Sequence, residues 1–185
     1  MSSARFAALH ASVIPAVGDP TRLRLPDLLH VTDRDADDVL SGRYDHLLPA
    51  DGISTEHRWF TRLRSDDELD VWLISWAPGQ ATELHDHCGS LGAMTVISGA
   101  LHEYRWAGDR LRHRRLTAGD QAGFPLGWVH DVAWAPPPPR APAATPTLSV
   151  HAYSPPLTAM SYYEITARDT LRRVRTELTD TPEDT

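Results

Sequence analysis

Cysteine is almost missing from this chain of 185 residues: there is one, Cys88. A single cysteine excludes an intramolecular disulfide framework, so the fold must rest on its apolar core. The length is sufficient for that and matches one domain. Also missing is any run of about 18 apolar residues, which excludes a membrane-spanning helix. The opening MSSARFAALHASVIPAV has neither the apolar core nor the basic lead of a signal peptide, so a cytoplasmic location is expected. An excess of positive charge is missing too. There are 18 basic residues against 25 acidic ones, a formal net charge of −7. Such a chain is a poor partner for a phosphate backbone, and neither nucleic acid nor membrane is expected to bind it. The basic runs Arg110–Arg115 and Arg172–Arg175 have acidic neighbours and read as solvated surface.

What is present is mostly strand texture. Residues 1–19 are weakly patterned and read as a loose arm. Residues 24–47 carry Leu, Val and acidic residues at helical spacing and predict one or two short helices. From about residue 58, apolar segments alternate with Gly and Pro. Strands are expected in LDVWLISW (69–76), AMTVISG (93–99), ALHEYRWAG (100–108), RLRHRRLTAGD (110–120), QAGFPLG (121–127) and VHDVAW (129–134). Many short strands with turn signals predict a mainly β sandwich or barrel. The run APPPPRAPAATPT (135–147) predicts an exposed polyproline excursion. It is not a domain linker, because LSVHAYS (148–154) and SYYEITA (161–167) resume the strand pattern. One domain over 20–170 is therefore expected. Residues 171–185 read as a charged tail with helical character.

Among 10 histidines, three stand out. His85 and His87 are two apart in ELHDH, so on a strand both imidazoles face one side and Asp86 faces the other. His130 follows 43 residues after His87, where another strand can cross opposite the pair. Neutral imidazoles suit Fe, Zn, Cu or Ni. Cys88 and Asp86 are rival ligands, but strand parity turns both away.

The surroundings of these histidines resemble the two motifs of the cupin superfamily, G-x5-H-x-H-x4-E-x6-G and G-x5-P-x-G-x2-H-x3-N. Gly79, His85, His87 and Gly99 match the first; Gly119, Pro125, Gly127 and His130 match the second. The resemblance implies a cupin-type antiparallel β-barrel, jelly-roll-like, behind the short N-terminal helices. The departures are Gly92 in place of the glutamate and Trp134 in place of the asparagine. A three-histidine face without that glutamate leaves positions open on the metal, as in non-heme iron oxygenases. A closed structural site would need a fourth protein ligand.

Three-histidine cupins of this kind resemble the cysteine dioxygenase family, and further residues extend the likeness over roughly 55–165. Residues 149–156 read SVHAYSPP, matching the family's Ser-x-His-x-Tyr run before Ser-Pro-Pro. The resemblance implies that the Tyr153 hydroxyl points at the metal, with His151 and Ser149 as a hydrogen-bond chain behind it. Phe60-Thr61-Arg62 matches the family's Tyr-x-Arg, with the tyrosine hydroxyl lost. It implies that Arg62 holds the substrate carboxylate, a bidentate task suited to guanidinium. Arg64, two residues on, is expected on the same face and is the alternative. Met160 falls near the implied pocket wall. Because the cross-linking cysteine of animal members falls on Gly92, no Cys–Tyr thioether is expected.

The resemblance thus implies an Fe(II) dioxygenase taking a small-molecule thiol and O2, with L-cysteine converted to cysteine sulfinate. Catalytic roles fall to Tyr153, His151 and Ser149, substrate binding to Arg62, Phe60 and Met160, and metal binding to His85, His87 and His130. The alternatives are a dioxygenase of 3-mercaptopropionate or another small thiol, a non-catalytic metal- or ligand-binding cupin, and a Zn or Mn isomerase or hydrolase. Arg62 argues against the first, the Ser149/His151/Tyr153 series against the second and the gap at Gly92 against the third.

Overall fold

The computed structural model describes residues 23–137 and 146–182. The expected arm (1–19), most of the proline run and residues 183–185 lie outside the described residues.

Among the described residues, eleven strands follow one α-helix: α1 (Leu25–Leu40), then β1 (Trp59–Ser65), β2 (Asp70–Trp76), β3 (His85–Asp86), β4 (Leu91–Ser98), β5 (Ala100–Trp106), β6 (Leu111–Thr117), β7 (Gln121–Phe124), β8 (His130–Trp134), β9 (Thr147–Ser154), β10 (Ala159–Ile165) and β11 (Leu171–Leu178). They form two antiparallel sheets, ordered β1-β2-β9-β4-β7 and β11-β10-β3-β8-β5-β6. This is a double-stranded β-helix, the cupin architecture expected from the motifs.

The segment 24–47 forms one α-helix and a short 3-10 turn, Asp45–Leu47. Pro26 sits in the first turn of α1, and the Asp27 carboxylate accepts the Arg24 backbone N–H at 2.8 Å. Leu28, Thr32, Asp35 and Ala36 form its buried stripe. That stripe packs with Leu63, Leu73, Ala93, Val150 and Ala152 on the outer face of the five-stranded sheet. On the inner face, Trp72, Ile74, Trp76, Met94, Phe124, Tyr153 and Met160 fill the barrel. β2 is buried along its whole length because it is covered on both faces. Its near-continuous apolar sequence records that double burial.

The helix is pinned by a polar contact as well. Buried Asp35 accepts Arg64 Nη2 at 2.8 Å and the Tyr44 hydroxyl at 2.7 Å. Burial, then the hydrogen bond to Asp35, pushes the Tyr44 hydroxyl up to about 12. Arg64 therefore does not share a face with Arg62, contrary to the simple alternation. The β1–β2 register shifts between Arg62 and Arg64, so Leu63 and Arg64 both turn towards α1.

Residues 171–178 also correct the sequence reading. They are a strand, β11, paired along β10, and not a helical tail. The Arg172–Glu164 ion pair at 2.7 Å spans the two strands. Charged side chains on an outermost strand protect its exposed edge. At the β4–β5 turn, Gly99 has φ +71, and a Cβ there would lie 2.1 Å from Thr147 Oγ1. This motif glycine is thus required by both backbone and packing. Among the described residues, no helix is long and apolar enough to cross a membrane.

Candidate metal centre

The two-residue strand β3 brings the first histidine pair to the third. It pairs with β8 so that His85 lies directly opposite His130. His87 follows immediately after β3, and the ring centroids stand 4.8 to 5.3 Å apart. The three rings lie 4%, 5% and 1% exposed for His85, His87 and His130. One nitrogen from each lies within 4.8 Å of the other two, and no Asp, Glu or Cys among the described residues joins the group.

These donors fit a metal ion. His85 Nδ1 is 2.7 Å from the Glu83 carbonyl, so Nδ1 carries the proton and Nε2 keeps the lone pair. Both ring nitrogens of His130 are buried without a hydrogen-bond partner in the structure. A buried imidazole left in this state costs free energy that coordination of an ion would offset. Burial, then the His130 charge, lowers His85 to about 3; burial, then His85, lowers His87 well below the usual range. His85 and His87 are thus neutral at pH 7, as coordination requires. Gly92 also belongs to this geometry. A Cβ there would lie 2.9 Å from the Phe124 ring and 3.2 Å from His87 Nδ1. The packing leaves no room for the fourth ligand that Gly92 replaces.

The rivals point elsewhere. Asp86 accepts the Cys88 N–H at 2.9 Å and the Tyr163 hydroxyl at 2.8 Å. Cys88 Sγ lies 3.3 Å from Ser161 Oγ. Both stand outside the three-histidine group; for Cys88 this is not strand parity, since β3 ends at Asp86 and Cys88 has φ +50.

Beside the histidines, Ser149, His151 and Tyr153 form a buried series on β9. Ser149 Oγ is 2.9 Å from His151 Nε2, and His151 Nδ1 is 3.5 Å from the Tyr153 hydroxyl. The Tyr153 ring lies 4.9 Å from that of His87. Gly92 is directly across the β4–β9 ladder from Tyr153, and it has no side chain to cross-link. Burial, then the Arg58 charge, lowers His151 to about 3, so it too is neutral. A further participant is Trp76, whose indole N–H donates to Ser149 Oγ at 2.9 Å. Indole can only donate, so Ser149 accepts there and its own proton can go to His151 Nε2. The series then runs Trp76 to Ser149 to His151 to Tyr153.

The structure separates the predicted substrate residues. Met160 lines the pocket over the histidines; Phe60 and Arg62 are not part of that lining. Phe60 packs edge-on against Trp72 at 5.8 Å. The Arg62 guanidinium lies over Trp72 at 4.5 Å and donates through Nη2 to the Asp180 carbonyl at 2.9 Å. The arginine in the lining is Arg58, stacked on Trp76 at 4.7 Å. Among the described residues, no other arginine, and no lysine or carboxylate, belongs to the lining. Period-two alternation from Arg62 through Phe60 reaches Arg58, so the signal was available.

Glu103 was also missed. It is 2% exposed on β5, diagonal to His130 across the β5–β8 ladder. Burial raises the carboxyl, but His130 and Arg114 together bring it below the ordinary carboxylate range. Nothing in the sequence marks it, because its meeting with His130 is set by strand register.

Residues 53–125 match the family model described as cysteine dioxygenase type I. Among solved structures, the chain is similar to an uncharacterized conserved protein with a double-stranded β-helix domain from Klebsiella pneumoniae. That match has TM-score 0.50 and 22% identity, and covers 64% of this chain and 86% of the other. A second similar structure is KdgF from a Halomonas species, with TM-score 0.45, 18% identity and coverage of 54% and 81%. The Klebsiella match shows the fold; the family match spans β1 to β7 with His85 and His87, and ends before His130 and the Ser149–His151–Tyr153 series.

Proposed function

We propose that this three-histidine cupin is an Fe(II)-dependent thiol dioxygenase, with L-cysteine as its first substrate. One observation carries the reading: the buried three-histidine group sits beside the Ser149–His151–Tyr153 series in one pocket. The family match over residues 53–125 supports it. The reaction converts thiol and O2 to sulfinate. Sulfur gives up four electrons, both oxygen atoms end on sulfur, and the thiol proton is released.

His85, His87 and His130 would hold the ion. The ferrous ion would supply a meeting point for thiolate and O2 and a path for electrons from sulfur to oxygen. The chain's own side chains do the rest. Phe124, Met160 and Trp76 exclude water and strengthen every electrostatic contact within the pocket. The Tyr153 hydroxyl offers a hydrogen bond where negative charge develops. His151, held by Ser149, orients that hydroxyl. Arg58, the cation of the lining, would bind the substrate carboxylate and fix the sulfur's orientation. A ferrous site with a free thiol substrate suits the reducing cytoplasm.

A second reading is favoured by the same arginine. 3-Mercaptopropionate carries both thiol and carboxylate, so Arg58 serves it equally well.

The test is oxygen consumption by Fe(II)-reconstituted protein with cysteine, 3-mercaptopropionate and cysteamine, with products weighed by mass spectrometry. Uptake with cysteine and a product two oxygen atoms heavier is expected. Absence of uptake with every thiol, with iron bound, leaves a metal-binding cupin of another function. Arg58→Met should raise KM for cysteine about tenfold or more and leave cysteamine nearly unchanged, as loss of a charge-assisted bond predicts. If Arg62→Met produces that split instead, Arg62 is the anchor.

A further inference from the structure

We infer that Glu103 is a positioning residue of the metal centre: its carboxylate accepts a hydrogen bond from His130 Nδ1–H and so presents Nε2 to the ion. The inference rests on the metal reading of the three histidines, and does not depend on thiol chemistry.

The geometry starts from β5. Glu103 lies across from Arg114 on β6 and beside Val132 on β8, two residues from His130. The carboxylate is divided between three neighbours. Its Oε2 meets Arg114 Nε in a short ion pair. Its Oε1 lies 3.4 Å from the Trp128 indole N–H and 3.5 Å from His130 Nδ1. The last contact is long and falls outside hydrogen-bond geometry. The inference requires that this contact shorten to hydrogen-bond distance.

The chemistry of the set gives the contact a direction. Trp128 and Arg114 can only donate, and ionised Glu103 can only accept. Of the two neutral imidazole forms, only Nδ1–H can bond to that carboxylate. The proton is thereby kept off Nε2. His85 has the same arrangement by another means, its Nδ1 facing the Glu83 carbonyl at 2.7 Å. The two histidines that face each other across β3 and β8 are thus set by one carbonyl and one carboxylate. A carboxylate behind a metal-bound imidazole also makes the imidazole a stronger donor. Arg114, half exposed on the outer side, balances the buried negative charge.

The experiment uses the full chain and Co(II) as probe. His130 is assigned by two-dimensional nitrogen NMR of metal-free protein labelled at histidine, with His130→Gln as the assignment control. Wild type should show His130 as the Nδ1–H form. Co(II) affinity is then measured by chelator competition for wild type, Glu103→Gln and, as a surface control, Glu164→Gln. Glu103→Gln should weaken Co(II) binding about 10- to 100-fold and mix the two His130 tautomers, the usual effect of losing such a carboxylate. Glu164→Gln should bind as wild type. Wild-type affinity and an unchanged tautomer in Glu103→Gln overturn the inference. So does an Nε2–H form of His130 in the wild type, which decides the matter even if the variant fails to fold. Wild type that binds no Co(II) overturns the metal reading itself.

Discussion

At the scale of single residues, Arg58, just before β1, and Arg62 and Arg64 within it show how one short segment divides its work. Arg58 lines the pocket, Arg62 meets the C-terminal segment, and Arg64 pins the helix. Arg64→Met should cost about 2–3 kcal/mol, because it strips buried Asp35 of its cation while Arg64 itself is partly exposed. Urea unfolding measures this, and turnover of the folded fraction should be unchanged. Loss of activity without loss of stability would place Arg64 in the site. Tyr153 is the opposite case. Tyr153→Phe should retain metal and fold but turn over about 10- to 100-fold more slowly, the range for removing one donor from a reacting centre. Steady-state oxygen uptake with metal content measured in parallel checks this. Unchanged turnover would reduce Tyr153 to packing.

At the scale of elements, the C-terminal segment after β11 reaches the pocket. Pro182 belongs to the lining, Thr179 N–H donates to the Thr158 carbonyl at 3.1 Å, and Asp180 receives Arg62. A chain ending at Leu178 loses all of these contacts while keeping the β10–β11 ladder. Such a chain should fold, and acrylamide should quench its tryptophan emission more strongly, since Trp76 lines the opened pocket. Stopped-flow uptake of Co(II) should also quicken. Identical quenching and uptake would show that the segment does not cover the site.

At the scale of the whole molecule, the buried imidazoles couple the site to stability. His85, His87 and His151 are all pulled below their ordinary range, first by burial. Below pH 6.5 the unfolded chain takes up protons on these groups and the folded chain does not. Their contribution to the stability of the metal-free protein is therefore complete above pH 6.5. It declines towards about 3, the value for His85 and His151. The loss amounts to about 1.4 kcal/mol per pH unit for each group. Urea midpoints of metal-free protein at pH 7.5 and 5.5 measure the decline, and a flat profile would mean that the imidazoles charge within the fold. Metal should raise stability at pH 7.5 by mass action, because the unfolded chain has no assembled site.

Much of this was legible along the chain because it depends on near neighbours. The spacing of His85 and His87 places both on one side of an extended segment. The alternation of Ser149, His151 and Tyr153 works the same way, and the glycine and proline positions mark the turns between strands. These are consequences of local backbone geometry, and the barrel class follows from them. What needed the tertiary structure depends on register between distant strands. A single shift at Leu63 sends Arg64 to the helix side, which no alternation rule predicts. Leu171, Val174 and Leu178 stand at helical spacing, yet the segment becomes a strand because β10 offers it a partner. Glu103 reaches His130 because β5 pairs with β8 in one register; a slip of one residue would turn it to the other face. Residue types and their local order thus set which groups could act together, while strand pairing over long separations decided which of them meet.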